Sequence, residues 1–531
     1  MHRKSTNSKK WGHFNHWFHL LIITLLILGI FFRFVNIDRK IYDFDEVYTS
    51  LRISGYTMAE MEQELRNGKV ISIKDLQKYQ APNPEKNAID TIKGLALEES
   101  QLTPLYFILA RFWVKSFGNS VAVTRSLSAY ISLLAFPAIY WLCQELFASR
   151  LIGWIAIALI AISPVHVIYA QVARFYSLWT VLILLSSAAL LQAIRGKTNL
   201  SWGIYSLTVI LGLYTHLYFG LVAISQGIYV ISIKGFRFRK TLIYYIISSL
   251  VGLIAFSPWL LILITSPNPE TLQWIQYKQT LFAITVRWVD MVRSTFLDIG
   301  VSPINELTIK PELVPFILII LTSMLYAIYF IFRNTPQRIH FFVLTLISSV
   351  GLPLILADFI FQHRYGATKY ILPSLLGIQL AFAYLIATKL NDCYSHRWQK
   401  RLWKTLTSML LVMGIISCTM SAQAEIWWNS HPHVSQDIPS IADSVNQSTQ
   451  PLLISDYNDL KFIQVLGYKL EPKVWLLLVE EPSIPEIPKG FSDVFLFRPS
   501  EPLIAGLGKE YNTQIKSIYP PLWKIENYTA Y

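Results

Sequence analysis

The sequence is short of cysteine and of charge. Its three cysteines, Cys143, Cys393 and Cys418, lie far apart, and two of them fall inside apolar stretches. That gives neither a disulfide framework nor the paired spacing of a zinc site. Charged residues make up only 15% of the chain and hydrophobic residues 53%, whereas soluble domains carry about 25% charge. A soluble globular protein is therefore excluded as the class. No Gly-rich phosphate loop or Walker-type sequence is present, so nucleotide-driven transport has no support. Internal repeats and low-complexity tracts are missing as well.

What the sequence has instead is long apolar runs, each near the roughly 20 residues that a bilayer requires. Eleven can be read, over residues 17–35, 121–147, 151–169, 176–194, 202–219, 221–233, 242–264, 313–332, 341–361, 370–388 and 406–420. The segment 105–117 is apolar but short and contains Arg111 and Lys115, which fits an interfacial helix or half of a re-entrant turn. The net charge of +13 is not that of a nucleic-acid binder, because the basic residues sit in short clusters between apolar runs. Arg3, Lys4, Lys9 and Lys10, then Arg150, Arg195 and Lys197, Lys234 to Lys240, Arg333 and Arg338, and Lys389 to Lys404 all share one side if there are about eleven spans. The positive-inside rule then puts the N-terminus in the cytoplasm and the alternate loops outside. The first run resembles a signal peptide, but Arg33 and Asp38 follow it where small residues would mark cleavage, so it reads as an uncleaved anchor.

The expected architecture is a polytopic α-helical membrane protein with a large first outer loop, residues 37–118, and a second outer loop over 265–311. The second loop carries Trp274, Tyr277, Arg287, Asp290, Arg293 and Asp298. From about residue 421 to 531 the pattern changes. PLLISDY, KFIQVLGYKL, VWLLLVE and DVFLFRP read as strand, helix, strand and strand between Pro-rich connections, so a small outer α/β domain is expected there. Residues 1–420 would then form the membrane domain.

Within the first outer loop, IYDFDEVYTSLRISGY concentrates the carboxylates Asp43, Asp45 and Glu46 beside the membrane, where acidic groups are costly unless they face water, a partner or a substrate. On a helix, Asp45, Tyr48, Thr49 and Arg52 share one face. A carboxylate there can act as a general base and an arginine can hold a phosphate oxygen. A first-turn carboxylate favoured by the helix dipole fits the same residues. Other outer loops bring cations and phenols: Arg174 and Tyr176 in AQVARFYSLW, and His363, Arg364, Tyr365, Lys369 and Tyr370 in QHRYGATKYIL. Anchoring of an anionic lipid headgroup accounts for them, and so does snorkelling to the interface. His166, His216, His363, His431 and His433 show no metal spacing and read as interfacial histidines. Trp11, Trp17, Trp427 and Trp428 suit an interfacial aromatic belt.

Several of these segments together resemble GT-C glycosyltransferases of the family 39 type, a group related to protein O-mannosyltransferases and lipid A aminoarabinose transferases. The resemblance is carried by FDEVYTSLRISGYT, by LTPLYFILARFWVKSFGNSVAVTRSLSAY with its Pro-Leu-Tyr, Phe-Gly and Arg-x-x-Ser, by ARFYSLWTVLILL and by RYGATKYILPSL. It covers about residues 15–390. The chain departs from the family where Thr103 and a single Pro104 stand in place of a double proline. The resemblance implies transfer of a sugar from a polyprenyl-phosphate donor to a hydroxyl on a glycan, lipid or protein at the outer face. Asp45 would be the catalytic base, with Asp43 as its rival. Glu46 would support the base or help to hold a divalent ion, although no cofactor is demanded. Arg364, Lys369, Arg174 and Arg52, with Tyr176 and Tyr365, would hold the substrate. The competing class is a polytopic lipid or glycan transporter or binding protein, which would line a path with charges inside several spans.

Overall fold

The computed structural model describes residues 16–66, 68–234, 240–266, 278–300, 311–391, 396–430, 435–480 and 483–526. Trp11, Cys393, Trp274, Tyr277, His431, His433 and the N-terminal basic residues lie outside them. The helices are α1 (His16–Phe34), α2 (Phe44–Ser54), α3 (Met58–Leu65), α4 (Ile73–Gln77), α5 (Ala88–Glu98), α6 (Leu105–Phe117), α7 (Val121–Leu133), α8 (Ala135–Phe147), α9 (Arg150–Ala161) and α10 (Pro164–Ala170). They continue with α11 (Tyr176–Gly196), α12 (Asn199–Leu213), α13 (Phe219–Lys234), α14 (Lys240–Thr265), α15 (Leu281–Arg293), α16 (Val314–Asn334), α17 (Gln337–Phe361), α18 (Leu372–Leu390) and α19 (Arg397–Gln423). In the tail follow α20 (Ile438–Asn446), α21 (Leu460–Gly467) and α22 (Glu501–Glu510). The strands are β1 (Val70–Ser72), β2 (Pro451–Asp456), β3 (Trp475–Val479), β4 (Asp493–Phe497), β5 (Ile515–Tyr519) and β6 (Leu522–Ile525).

The eleven apolar runs correspond to eight helical stretches long and apolar enough to cross a bilayer, α7 and α8 together making one of them, one bent pair, α9 with α10, and two shorter apolar helices, α12 and α13. The chain is a multi-pass membrane protein. Segment 105–117 is the thirteen-residue helix α6, too short to span. The α9–α10 bend of 62° has an identifiable cause. Pro164, the first residue of α10, has no N–H to give Ile160, whose carbonyl is left with a long contact from the Ser163 N–H at 3.4 Å. Such groups must find partners inside a membrane protein. Arg33 supplies them from α1: its guanidinium, 1% exposed, donates to the carbonyls of Gly29, Ile160 and Ala161 and to Ser132 Oγ.

Two spans sit at the centre of the bundle. α11 and α18 have 78% and 83% of their most apolar windows buried, against 22% for α14. They carry Ser, Thr, Gly and Ala among larger residues, which lets neighbouring helices approach closely. Arg174 lies just before α11 and Lys369 just before α18, so the two most buried long helices among the described residues present cations at one face.

On that face the tail builds a sheet of order β1-β3-β2-β4-β6-β5. β2 is parallel to β3 and to β4, while β6 runs antiparallel to β4 and β5. The alternation of buried residues divides β2: Leu453 packs with α20 and α21 on one side, and Leu452 and Ile454 pack with α22 on the other. β1 comes from the first loop and pairs antiparallel with β3, Ile71 opposite Leu476. Loop and tail therefore share one sheet and one core. Tyr42, Val47 and Leu51 from the first loop lie in the same cluster as Ile463, Leu466 and Leu476. α2 ends at Gly55, whose φ of +91° suits glycine and whose hydrogen atom is all that fits against Lys86.

Candidate functional site

Asp45 and Glu46 occupy the first turn of α2, with Asp43 as the N-cap residue. Acidic residues are favoured at this end by the helix dipole, and Arg52 at the other end completes the pattern. Consecutive helical residues point about 100° apart, and the two carboxylates meet quite different surroundings. Glu46 is 3% exposed and accepts from Arg125 through both oxygens, at 2.8 and 2.6 Å, and from the Ala173 N–H at 2.7 Å. Arg125, in α7, also donates to the carbonyls of Ile37, Lys40 and Ile41. The pair locks the start of α2 onto the bundle and brings the segment before α11 with it.

Asp45 faces a cavity. Its side chain is 27% exposed and takes Arg174 Nη2 on Oδ1 at 3.0 Å, then Lys369 Nζ at 2.7 Å and the Tyr176 hydroxyl at 3.0 Å on Oδ2. Three residues from two segments, 129 to 324 positions away, converge on this one carboxylate. Two cations against one carboxylate leave the group with one net positive charge. Burial opposes the charge on Lys369, but Asp45 outweighs it and raises the ammonium pKa well above the ordinary lysine value. Arg174 is raised in the same way, Asp45 again overcoming burial. Both cations stay charged throughout the physiological range.

The cavity holds about 230 Å³ and is walled by Asp43, Asp45, Tyr169, Tyr176, Arg364 and Lys369 near α2, and by residues of α15 and of the segment after α19. Arg364 lines it without a hydrogen bond or ion pair among the described residues. Burial, and then repulsion from Arg287, lower the pKa of its guanidinium. An anion there would relieve that repulsion.

Not every expected residue reaches this group. Arg52 points away: its Nε meets Glu99 at 2.7 Å and its Nη1 pairs with Glu98, so two carboxylates from the end of α5 neutralise it. A seven-residue step along a helix lands on the same face but about 10 Å further on, where another acidic pair competes for the arginine. Tyr365 contributes its backbone N–H, which donates to Asp358, while its ring packs against Phe361 and His363. His166 and His216 are buried rather than interfacial, at 6% and 9% exposure. His166 pairs with Gln379 at 3.0 Å, and His216 stacks on Trp179. Among the described residues no group of three or more His, Cys, Asp or Glu gathers to hold a metal ion.

Asp358 is a site residue that the sequence reading passed over. Fully buried near the end of α17, it accepts from Arg287 Nη2 and Trp288 Nε1 at 2.8 Å each, from the Tyr365 N–H at 2.6 Å and from the Gly366 N–H at 3.1 Å. It thereby ties the loop carrying Arg364 and Lys369 to α15. Gly366 must be glycine, because a Cβ would lie 2.8 Å from both the Asp358 carboxylate and the Trp288 ring. The available signal was an aspartate inside an apolar run, which is rarely without a partner. Arg125 was visible as the arginine of Arg-x-x-Ser, but its target was not.

A cavity at one face of the bundle, bounded by an acid-led short helix, by α15 and by Trp428 and Asn429 beyond α19, can be compared with known structures. ArnT from Cupriavidus metallidurans superposes with a TM-score of 0.54 over 96% of this chain and 97% of that one, at 11% identity, both bound to undecaprenyl phosphate and in the apo state. The fold is GT-C. The Archaeoglobus fulgidus oligosaccharyltransferase also aligns, with a TM-score of 0.46 and 11% identity over 86% of this chain and 64% of that one. No family model matches the sequence, and no curated protein matches it either.

Proposed function

We propose that this chain is a membrane glycosyltransferase that moves a sugar from a polyprenyl-phosphate donor to a hydroxyl acceptor, with Asp45 as the general base. The observation that carries this reading is the grip of Arg174, Tyr176 and Lys369 on Asp45 at the edge of a cavity that also holds Arg364. ArnT of the same fold has been crystallised with undecaprenyl phosphate, which supports the donor class.

In this reading the acceptor oxygen attacks the anomeric carbon as the bond from that carbon to the phosphate oxygen breaks. The acceptor proton passes to the Asp45 carboxylate, and the electron pair leaves with the lipid phosphate. The phosphate gains charge as it departs, and Lys369 and Arg364 are placed to stabilise it in a site where solvent screening is weak. Glu46 holds Asp45 in position through the backbone of α2 rather than by touching substrate. The positive-inside pattern supports an outer-face site with a cytoplasmic N-terminus. A transporter reading is weaker, because the charges within apolar helices serve local structure: Arg33 caps carbonyls and Asp358 holds a loop.

The test is transfer by the full-length protein in nanodiscs, using synthetic undecaprenyl-phosphate sugars. Asp45→Asn is expected to lower turnover by about 10²–10⁴-fold, the usual contribution of a positioned base, with a smaller loss of thermal stability than Glu46→Ala. Turnover by Asp45→Asn equal to wild type would remove Asp45 from the chemistry.

A further inference from the structure

Besides Lys369 and Arg364, the same cavity is lined by residues of different chemistry. Among them are Asp290 and Ser294, at the C-terminal end of α15, and Trp428 and Asn429, just beyond α19. Trp428 stands edge-on to Tyr169 with ring centroids 6.1 Å apart, and Tyr169 meets Tyr176 at 4.9 Å. The Trp428 ring is thus two aromatic contacts from the phenol that touches Asp45. Asn429 Oδ1 is shielded from solvent and has no hydrogen-bond partner among the described residues. A buried acceptor left without a donor costs about 1–3 kcal/mol, and the Asn429 amide, which lines the cavity, gains one when its side chain turns its oxygen toward a ligand hydroxyl. Asp290 adds a carboxylate that is 30% exposed and is held at Oδ1 by Arg293, 2.6 Å away.

Trp428 does not sit there merely as part of an interfacial belt. Asp298, 1% exposed, accepts the indole N–H of Trp428 and, at 2.9 Å, that of Trp427. Its own backbone N–H donates to Ser417 Oγ in α19 at 2.9 Å. Two indoles and a carboxylate therefore clamp the segment after α19 to the end of α15 and fix which way the Trp428 ring points. A flat aromatic surface beside an amide acceptor and a carboxylate matches a sugar ring, which offers apolar C–H groups on a face and hydroxyls around its rim.

We propose that Trp428, Asn429 and Asp290 form a subsite for a sugar ring, with Asp298 as the residue that positions Trp428. This rests on the glycosyltransferase reading above. The ring is either that of the donor sugar or one belonging to a glycan acceptor, and the two are separable by experiment.

Wild type, Trp428→Ala, Asn429→Ala and Asp298→Ala are reconstituted at full length in nanodiscs. Binding is measured for undecaprenyl phosphate and for undecaprenyl-phosphate hexoses and pentoses, and KM and kcat are measured for donor and for a glycan acceptor. Asn429→Ala removes little volume and carries the test should Trp428→Ala fail to fold. For a donor ring, affinity for the sugar-bearing lipid falls about tenfold or more, as when a site built for a hydroxyl loses its partner, while undecaprenyl phosphate binds as in wild type. For an acceptor ring, donor binding holds and acceptor KM rises by a similar factor. Asp298→Ala raises the same KM with a smaller effect on kcat, whereas a merely structural role would lower the active fraction without moving KM. Equal loss of affinity for both lipids, or no change in any variant, overturns the subsite while leaving the transferase reading intact. Wild-type protein that binds neither lipid overturns the transferase reading and the subsite with it.

Discussion

Two adjacent carboxylates with opposite surroundings call for opposite behaviour on substitution. Glu46 sits in a buried ion pair with Arg125, and removing one partner of such a pair leaves an uncompensated charge worth about 3–5 kcal/mol. Glu46→Ala is therefore expected to lower stability sharply, measured by thermal unfolding in detergent, while Asp45→Asn, at a carboxylate that is 27% exposed, costs less stability and chiefly lowers turnover. Lys369→Met is expected to reduce transfer by about 10²–10³-fold, the scale seen when a donor aimed at developing charge is lost. His216, in the turn between α12 and α13, makes a pH prediction. Burial, and next the charge of Lys369, lower its pKa from 6.5 to about 3, so the unfolded chain binds a proton that the folded chain resists. Stability is then complete above about pH 6.5 and falls as pH drops toward 3, by up to about 1.4 kcal/mol per pH unit. His216→Phe keeps a ring against Trp179 and should show a shallower acid decline in unfolding experiments at pH 7.5, 6 and 4.5.

At the scale of elements, the loop between α17 and α18 decides whether Arg364 and Lys369 reach the cavity, and Asp358 holds that loop. An aspartate there accepts from two side chains and two backbone N–H groups. Asparagine offers a single acceptor oxygen, and alanine none. Asp358→Ala should therefore cost about 3 kcal/mol or more, from several buried donors left unpaired at about 1–3 kcal/mol each. Protection of the Tyr365 and Gly366 amides in hydrogen exchange should fall with it, and transfer should drop although Asp358 touches no substrate. Unchanged protection at those two amides would show the loop to be held by other contacts. The α9–α10 bend follows the same logic. Pro164 removes a donor and Arg33, 131 positions earlier in the chain, replaces it, so the bend is a property of two segments together.

Across the whole molecule, β1 binds the first loop to the tail sheet, so the two cannot be separated cleanly. Ile71→Pro removes a ladder N–H at the β1–β3 pairing, and β1 should detach. Limited proteolysis is expected to cut the first loop faster, with the spans left intact. Much of the architecture was legible beforehand, because long apolar runs and clustered basic residues follow from the cost of exposing charge to lipid, a cost that each segment carries by itself. The helix and strands over residues 451–497 were readable for the same reason, since their period appears within a few residues. Asp45, Arg174, Tyr176 and Lys369 could be named individually as chemically suited groups at one face. That Lys369, Arg174 and Tyr176 close on the same carboxylate was not readable, and neither was the loss of Arg52 to Glu98 and Glu99, the burial of His216, or the hold of Asp358 on its loop. Ion pairs and hydrogen bonds depend on distances of a few ångströms between residues up to hundreds of positions apart, and no local pattern records them. The sequence by itself determined the membrane class, the spans and the acidic turn, because hydrophobicity acts segment by segment. Only the tertiary structure decided which carboxylate meets Arg174 and Lys369 and which is locked onto Arg125, because that choice depends on which partners the packed bundle brings within reach.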